Sequence, residues 1–172
     1  MDMDTRDMRA DMLQVAVDTI KKAQGVGLTM PCTTIDLCKA LNYCGFPNFI
    51  EYRTMSGSLS GVIKRDPESE EYGIILDAAA TAEQQERDLG HEISHMVNTH
   101  ALTGLRCQRM GLAYISDLRE LEAENGADWF VVLVRKTARE LAAHDRSEFR
   151  HLVETINRDK RPRLWLPGRR WR

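Results

Sequence analysis

The sequence predicts an α+β fold, mostly helical, with a small three-stranded sheet, antiparallel or mixed, packed on a central helix. Three observations predict it. Residues 5–24 and 117–142 carry apolar side chains at three- and four-residue intervals, the period of a helix with one buried face. Three short runs rich in β-branched and aromatic residues lie together between residues 49 and 77, separated by turn chemistry. Directly after them a third helical pattern opens at Thr81 and carries the most informative residues of the chain.

In chain order, Met8, Met12, Leu13, Val15, Ala16 and Ile20 mark the apolar side of the first helix, and Gly25 is its stop. The methionines suit a core, or a soft contact surface for a partner. A short helix from Thr34 to Leu41 follows, with Thr33 and Asp36 placed as a capping box and Ile35, Leu37, Cys38 and Leu41 facing inward. Residues 44–48, Cys-Gly-Phe-Pro-Asn, are turn chemistry. The strands are Phe49–Tyr52, a segment within 57–64 ending Val62-Ile63-Lys64, and Tyr72–Asp77. The last two pair antiparallel across the acidic turn 66–71. Such a sheet has an open edge, which can hold an extended peptide by strand addition. Thr81 and Gln84 form a second capping box, and that helix frays by Asn98. Residues 99–115 are loop-like, Ser116 caps the helix 117–142, and a last helix runs to about Asn157. Trp129, Phe130, Leu133 and Val134 are core candidates. Gly126 in mid-helix costs about 1 kcal/mol relative to alanine, which fits a close helix–helix approach.

Length and composition bound the functional classes. A chain of 172 residues, 42% apolar and 29% charged, suits one domain with a real core over residues 1–157, followed by a tail, 158–172. A net charge of −2 gives no overall field toward nucleic acid or a membrane. No apolar run approaches the ~18 residues that a spanning helix needs. The acidic start, Met-Asp-Met-Asp, has no apolar core of a secretion signal, so the expected compartment is the cytoplasm. Cys32, Cys38 and Cys44 recur every six residues, which matches neither zinc nor redox spacing; with Cys107 they are expected as buried free thiols, a structural second zinc being the alternative.

The third helix carries His91-Glu92-Ile93-Ser94-His95, the pattern H-E-x-x-H. Residues i and i+4 share a helix face, so the two imidazoles stand one turn apart and can bind one ion. Glu92 is turned about 100° from His91, where its carboxylate can take a proton from water without filling a coordination site. Leu89, Ile93, Met96 and Val97 give the same helix an apolar face, so it is packed rather than free. A catalytic zinc needs a third protein ligand and an open position. Glu124 is the candidate, with Asp128 one turn on to accept the other ring N–H of a liganding histidine. Glu120, on the same face as Glu124, is the stronger rival, Glu122 the weaker. The bland alternative for these acids is a solvated helix face.

These residues resemble the ImmA/IrrE metallopeptidases. The resemblance rests on the H-E-[IL]-[SG]-H helix and, about thirty residues on, a helix of form E-x-x-[AC]-[ND]-x-F matched by Glu124, Ala127, Asp128 and Phe130. It also rests on the short helix and small sheet of residues 31–77, and covers roughly residues 10–143. It implies a minimal gluzincin-like core, zinc or manganese as the metal, and a helix-turn-helix repressor as substrate. The chain departs from the family at Glu86-Arg87-Asp88, where apolar residues are usual, and at Val131–Lys136, where a Leu-Leu-Met-Pro segment is usual. Neither departure touches a ligand position.

Further residues complete the list. Tyr114 and His100 lie between the two helices and are candidates for stabilising the transition state. The tail holds seven basic residues, one acid, Trp165 and Trp171, a mixture suited to a weak nucleic-acid contact or simply to a docked tail. His144 and His151 have no ligand spacing. Three classes follow: a metal-dependent endopeptidase relieving repression, a non-catalytic peptidase-like regulator binding a repressor or toxin, and a nucleic-acid-associated protein using the tail. An intact Glu92 favours the first, because a structural site does not need it.

Overall fold

The computed structural model describes residues 5–57, 59–99, 107–108 and 118–144. The element order is α1 (Thr5–Gly25), α2 (Thr34–Leu41), β1 (Asn48–Arg53), β2 (Leu59–Arg65), β3 (Tyr72–Asp77), α3 (Ala82–Val97), β4 (Cys107–Gln108), α4 (Leu118–Leu133) and α5 (Ala138–Ala143). The fold is α+β, as the sequence predicts. The sheet order is β1-β3-β2-β4. β3 pairs parallel with β1 and antiparallel with β2, so the three main strands form a mixed sheet.

The core lies between the sheet and the helices. Alternation along the strands sends Ile63, Ile74 and Leu76 to one face, where they meet Leu89 and Ile93 of α3; all five are buried. On the other side of α3 lies α4, and α1 covers α4. Met8 and Met12 of α1 are buried, so the methionines serve the core and not a partner surface. Trp129, Phe130, Leu133 and Val134 are buried as expected, and the Trp129 indole N–H donates to the Arg9 carbonyl at 3.1 Å.

Three local expectations are corrected. The helix expected over 117–142 is two helices. The Val134 carbonyl accepts a bond from the Cys32 N–H at 2.7 Å, and Thr137 with Glu140 forms a capping box that starts α5. At α3, Thr81 caps the Gln84 N–H, but the box is not reciprocal: the Gln84 amide instead donates to Asp88 at 2.7 Å. The segment 99–115 contributes a strand, the two-residue β4, which pairs with Leu59 and Gly61. The sheet keeps an open edge all the same: β1 pairs only with β3 among the described residues, and beyond Gly61 β2 has no outer partner among them. Ser116, the helix expected after residue 144 and the tail 158–172 lie outside the described residues. Among those described, no helix is long and apolar enough to cross a membrane.

Candidate metal centre

Helices α3 and α4 run side by side, and their close approach depends on two glycines. A Cβ at Gly90 would stand 3.1 Å from the Ala127 carbonyl oxygen, and one at Gly126 would overlap Ser94. The mid-helix glycine expected to allow close approach does so. The two backbones can therefore bring short, buried side chains into direct contact.

The facing surfaces form a ladder. Arg87, His91 and His95 follow one another at four-residue intervals on α3; Glu120, Glu124 and Asp128 do the same on α4. The order is reversed between them. Glu120 reaches both histidines: its Oε1 is 3.2 Å from His95 Nε2 and its Oε2 is 3.2 Å from His91 Nε2. Glu124 Oε2 lies 3.1 Å from His91 Nδ1, and its other oxygen pairs with Arg87. Asp128 pairs with Arg87 Nε at 3.5 Å.

The two imidazoles converge. His91 Nε2 and His95 Nε2 are 3.2 Å apart, with the rings 71° to each other. Two ring nitrogens that close need either a shared ring proton, as an N–H···N bond, or a metal between them. Metal–nitrogen bonds of about 2.0–2.1 Å around a tetrahedral ion set donor atoms about 3.3 Å apart. The 3.2 Å between His91 Nε2 and His95 Nε2 matches that spacing, and each nitrogen lies 3.2 Å from a different oxygen of Glu120. Among the described residues, these three form a group whose donor atoms all lie within 4.8 Å of one another. Two histidines and a carboxylate are a donor set suited to zinc.

This geometry exchanges the expected roles of the acids. Glu120, not Glu124, stands at the pair of Nε2 atoms. Glu124 takes the place expected of Asp128: it binds the far nitrogen of His91 and so fixes that ring's orientation and tautomer. Asp128 is held by Arg87, one turn too far along to reach a histidine. The physical reason is axial register. Glu120 and Glu124 share a face, and only the offset of the two helices decides which one meets His91 and His95.

The electrostatics agree with a cation site. Burial alone would depress His91, but its hydrogen bonds to Glu120 and Glu124 and the charge of Glu92 outweigh it and push the imidazole up to about 10. Burial keeps His95 below its ordinary value, with the charge of His91 adding to the effect. Burial would raise Glu120, yet hydrogen bonds from both histidines hold it down at about 2. Glu124 is likewise held low against burial by His91 and Arg87. In the metal-free protein these directions favour a proton on His91 over His95.

Glu92 was expected as an exposed cleft residue and is instead 1% exposed. It lies against strand β2: a Cβ on Gly61 would stand 3.2 Å from Glu92 Cδ and closer still to Oε1. Gly61 was missed in the sequence. A lone glycine inside a strand pattern marks a bulge or a close approach, and that was its signal. Arg87 was missed as a site residue too, although its four-residue spacing from His91 places it on the same face. His100 and Tyr114 lie outside the described residues.

Among the described residues, Cys32, Cys38 and Cys44 do not belong to this group. Cys38 is buried and donates to Asn48 Oδ1 at 3.2 Å, and burial pushes its thiol up to about 12. Cys32 and Cys44 are half-buried free thiols, also raised by burial. Compared with known proteins, the chain matches no family model and no curated protein, so the reading of this centre rests on its own geometry.

Proposed function

We propose that the protein is a metal-dependent endopeptidase, with His91, His95 and Glu120 holding zinc, or manganese, and Glu92 acting as the base. The observation that carries this reading is the convergence of two imidazoles and a carboxylate from two helices, their donor atoms within 4.8 Å of one another, with a second carboxylate on the residue next to the first ligand. The metal when bound supplies a Lewis acid that polarises water and the scissile carbonyl. The chain does the rest. Glu124 orients the His91 ring through Nδ1. Arg87 keeps Glu124 ionised and in place. Glu92 takes the proton of the attacking water and delivers it to the leaving amine. From the resemblance to the ImmA/IrrE peptidases, the substrate is a helix-turn-helix repressor encoded beside this chain and cut in the cytoplasm.

The test uses Glu92→Gln, which keeps size but removes the base. Wild type and variant are purified, their metal content measured, and each is incubated with the neighbouring regulator. The expected outcome is unchanged metal and a 10²–10⁴-fold loss of cleavage, the usual range for a general base, roughly. Because Glu92 is buried, the unfolding midpoint is measured alongside, to separate chemistry from folding.

One observation favours a second reading, a non-catalytic regulator. The ladder of three basic and three acidic side chains is satisfied with a proton in place of the ion, as a lock between α3 and α4. On that reading Glu92→Gln relieves repression as well as wild type does, and the partner stays full length in both.

A further inference from the structure

Gly61 stands in the middle of β2, opposite Leu76 of β3 on one side and Cys107 of β4 on the other. It is buried, and its missing side chain would point at Glu92, the residue to which the peptidase reading gives the proton. Neither backbone is free to give way. Strand β2 is held from both edges at this residue. Helix α3 is fixed by Leu89, Ile93 and Met96, each fully buried on either side of Glu92 in sequence. A methyl group here would lie inside the 3.0 Å that real Cβ contacts essentially never cross, with Glu92 Oε1 as the offending atom and Cδ at 3.2 Å. Only the far end of the Glu92 side chain can move.

We propose that Gly61 is a positioning residue for Glu92: the empty Cβ position on β2 is the seat of the carboxylate, and the strand sets where the proton is held. The proposal rests on the peptidase reading of Glu92 and names what that reading lacks, the element that fixes the base. Glu92 is the neighbour of a ligand, and a glutamate side chain has three rotatable bonds, so its place in sequence does not by itself set its carboxylate's direction. The sheet supplies that restraint.

Two features distinguish this role from packing alone. A glycine in a strand interior weakens the strand, through entropy and the lack of a side chain to pack. The cost is borne at a residue of β2 whose Cβ would meet Glu92. The clash of an added methyl also falls on a flexible carboxylate and not on backbone, so alanine displaces the base before it disturbs the fold. A displacement on the order of an ångström at a reacting group can cost about 10²-fold in rate.

The experiment is a double-mutant cycle on the zinc-loaded full chain, with Gly61→Ala, Glu92→Asp and the two combined. The substrate is an internally quenched peptide library. Gly61→Ala is expected to keep its zinc and its KM and to lose about 10²-fold in kcat. Aspartate is one methylene shorter and leaves room for the new methyl. In the Glu92→Asp background the same glycine change should therefore cost less than threefold, a non-additivity that marks direct coupling. The cycle is repeated on metal-free protein by thermal unfolding, where Gly61→Ala should lower the midpoint with Glu92 present and not with Glu92→Ser. Wild-type kcat in Gly61→Ala overturns the proposal. So does a kcat loss of equal size in both Glu92 backgrounds, or a loss of zinc that parallels the loss of rate. If the wild type cleaves nothing, the peptidase reading has failed, and Gly61 loses this role with it. If the wild type cleaves and Gly61→Ala cleaves equally well, only the proposal about Gly61 has failed.

Discussion

Glu120 and Glu124 differ by one helical turn and by which nitrogen of His91 they meet. The first faces the nitrogens where an ion would sit, the second the nitrogen behind. Their removal should therefore be felt differently. Glu120→Gln deletes a charged ligand and should abolish stoichiometric zinc at micromolar protein. Glu124→Gln keeps a hydrogen-bond acceptor at Nδ1 and should cost about 10–100-fold in affinity, the usual price of disturbing a ligand's support. Competition with a fluorescent chelator measures both, and a larger loss in Glu124→Gln would reverse the assignment. The pair also shows how far a sequence can be read at this scale. Four-residue spacing put His91 with His95, and Glu120 with Glu124, on common faces, because helical period is local. Which acid meets which histidine depends on the axial offset of two helices joined by twenty residues, and no local pattern records that. Gly61 was legible only as a glycine out of place in a strand.

At the scale of elements, α3 and α4 make the site, and their spacing is set by Gly90 and Gly126. Both α3 and the three main strands were readable, since burial imposes period on each, as was the antiparallel β2–β3 pair; the parallel pairing of β1 with β3 was left open, because period does not record strand direction. The end of α4 was not readable, because its last turn is stopped by a bond from Cys32, about a hundred residues away in sequence. A two-residue strand such as β4 carries no periodicity at all. Gly126→Ala tests the close approach. Its methyl would meet Ser94 and also the Met12 methyl at 2.8 Å, so α1 and α3 both resist it. Overpacking of this kind costs about 1–3 kcal/mol, against a propensity gain of about 1 kcal/mol. The expected result is a net loss of stability by denaturant titration, accompanied by weaker zinc binding. The companion Ser94→Ala should relieve part of it.

For the whole molecule, the ladder couples folding to protons. His91 ordinarily titrates at 6.5 and in the metal-free fold at about 10. Its contribution is complete below 6.5 and is lost as pH rises through 10. Glu120 ordinarily titrates at 4.5 and here at about 2, so its contribution is complete above 4.5 and is lost as pH falls through 2. Both are present together between 4.5 and 6.5, and chelated protein should have its highest unfolding midpoint there. Zinc needs neutral imidazoles, so saturating metal should move that maximum to higher pH and add about 2.7 kcal/mol at a hundredfold excess over Kd. Scanning calorimetry in pH steps, with zinc and with chelator, checks both arms. A metal-free midpoint that climbs from pH 7 to pH 9 would contradict the account.

The alternation of bases on α3 and acids on α4 has a further consequence. A charge ladder with a repeat of four residues is nearly degenerate: sliding α4 by one turn, about 5.4 Å, would hand every base the next acid in line. Glu124 would then face His91 and His95, the arrangement expected from the sequence. Charge alone does not choose between these two alignments. The notches at Gly90 and Gly126 do, because a slid helix would drive side chains into the gaps that only glycine leaves. The identity of the third ligand is thus written in residues that carry no charge and touch no ion, and a variant that fills either notch is where the two alignments would compete.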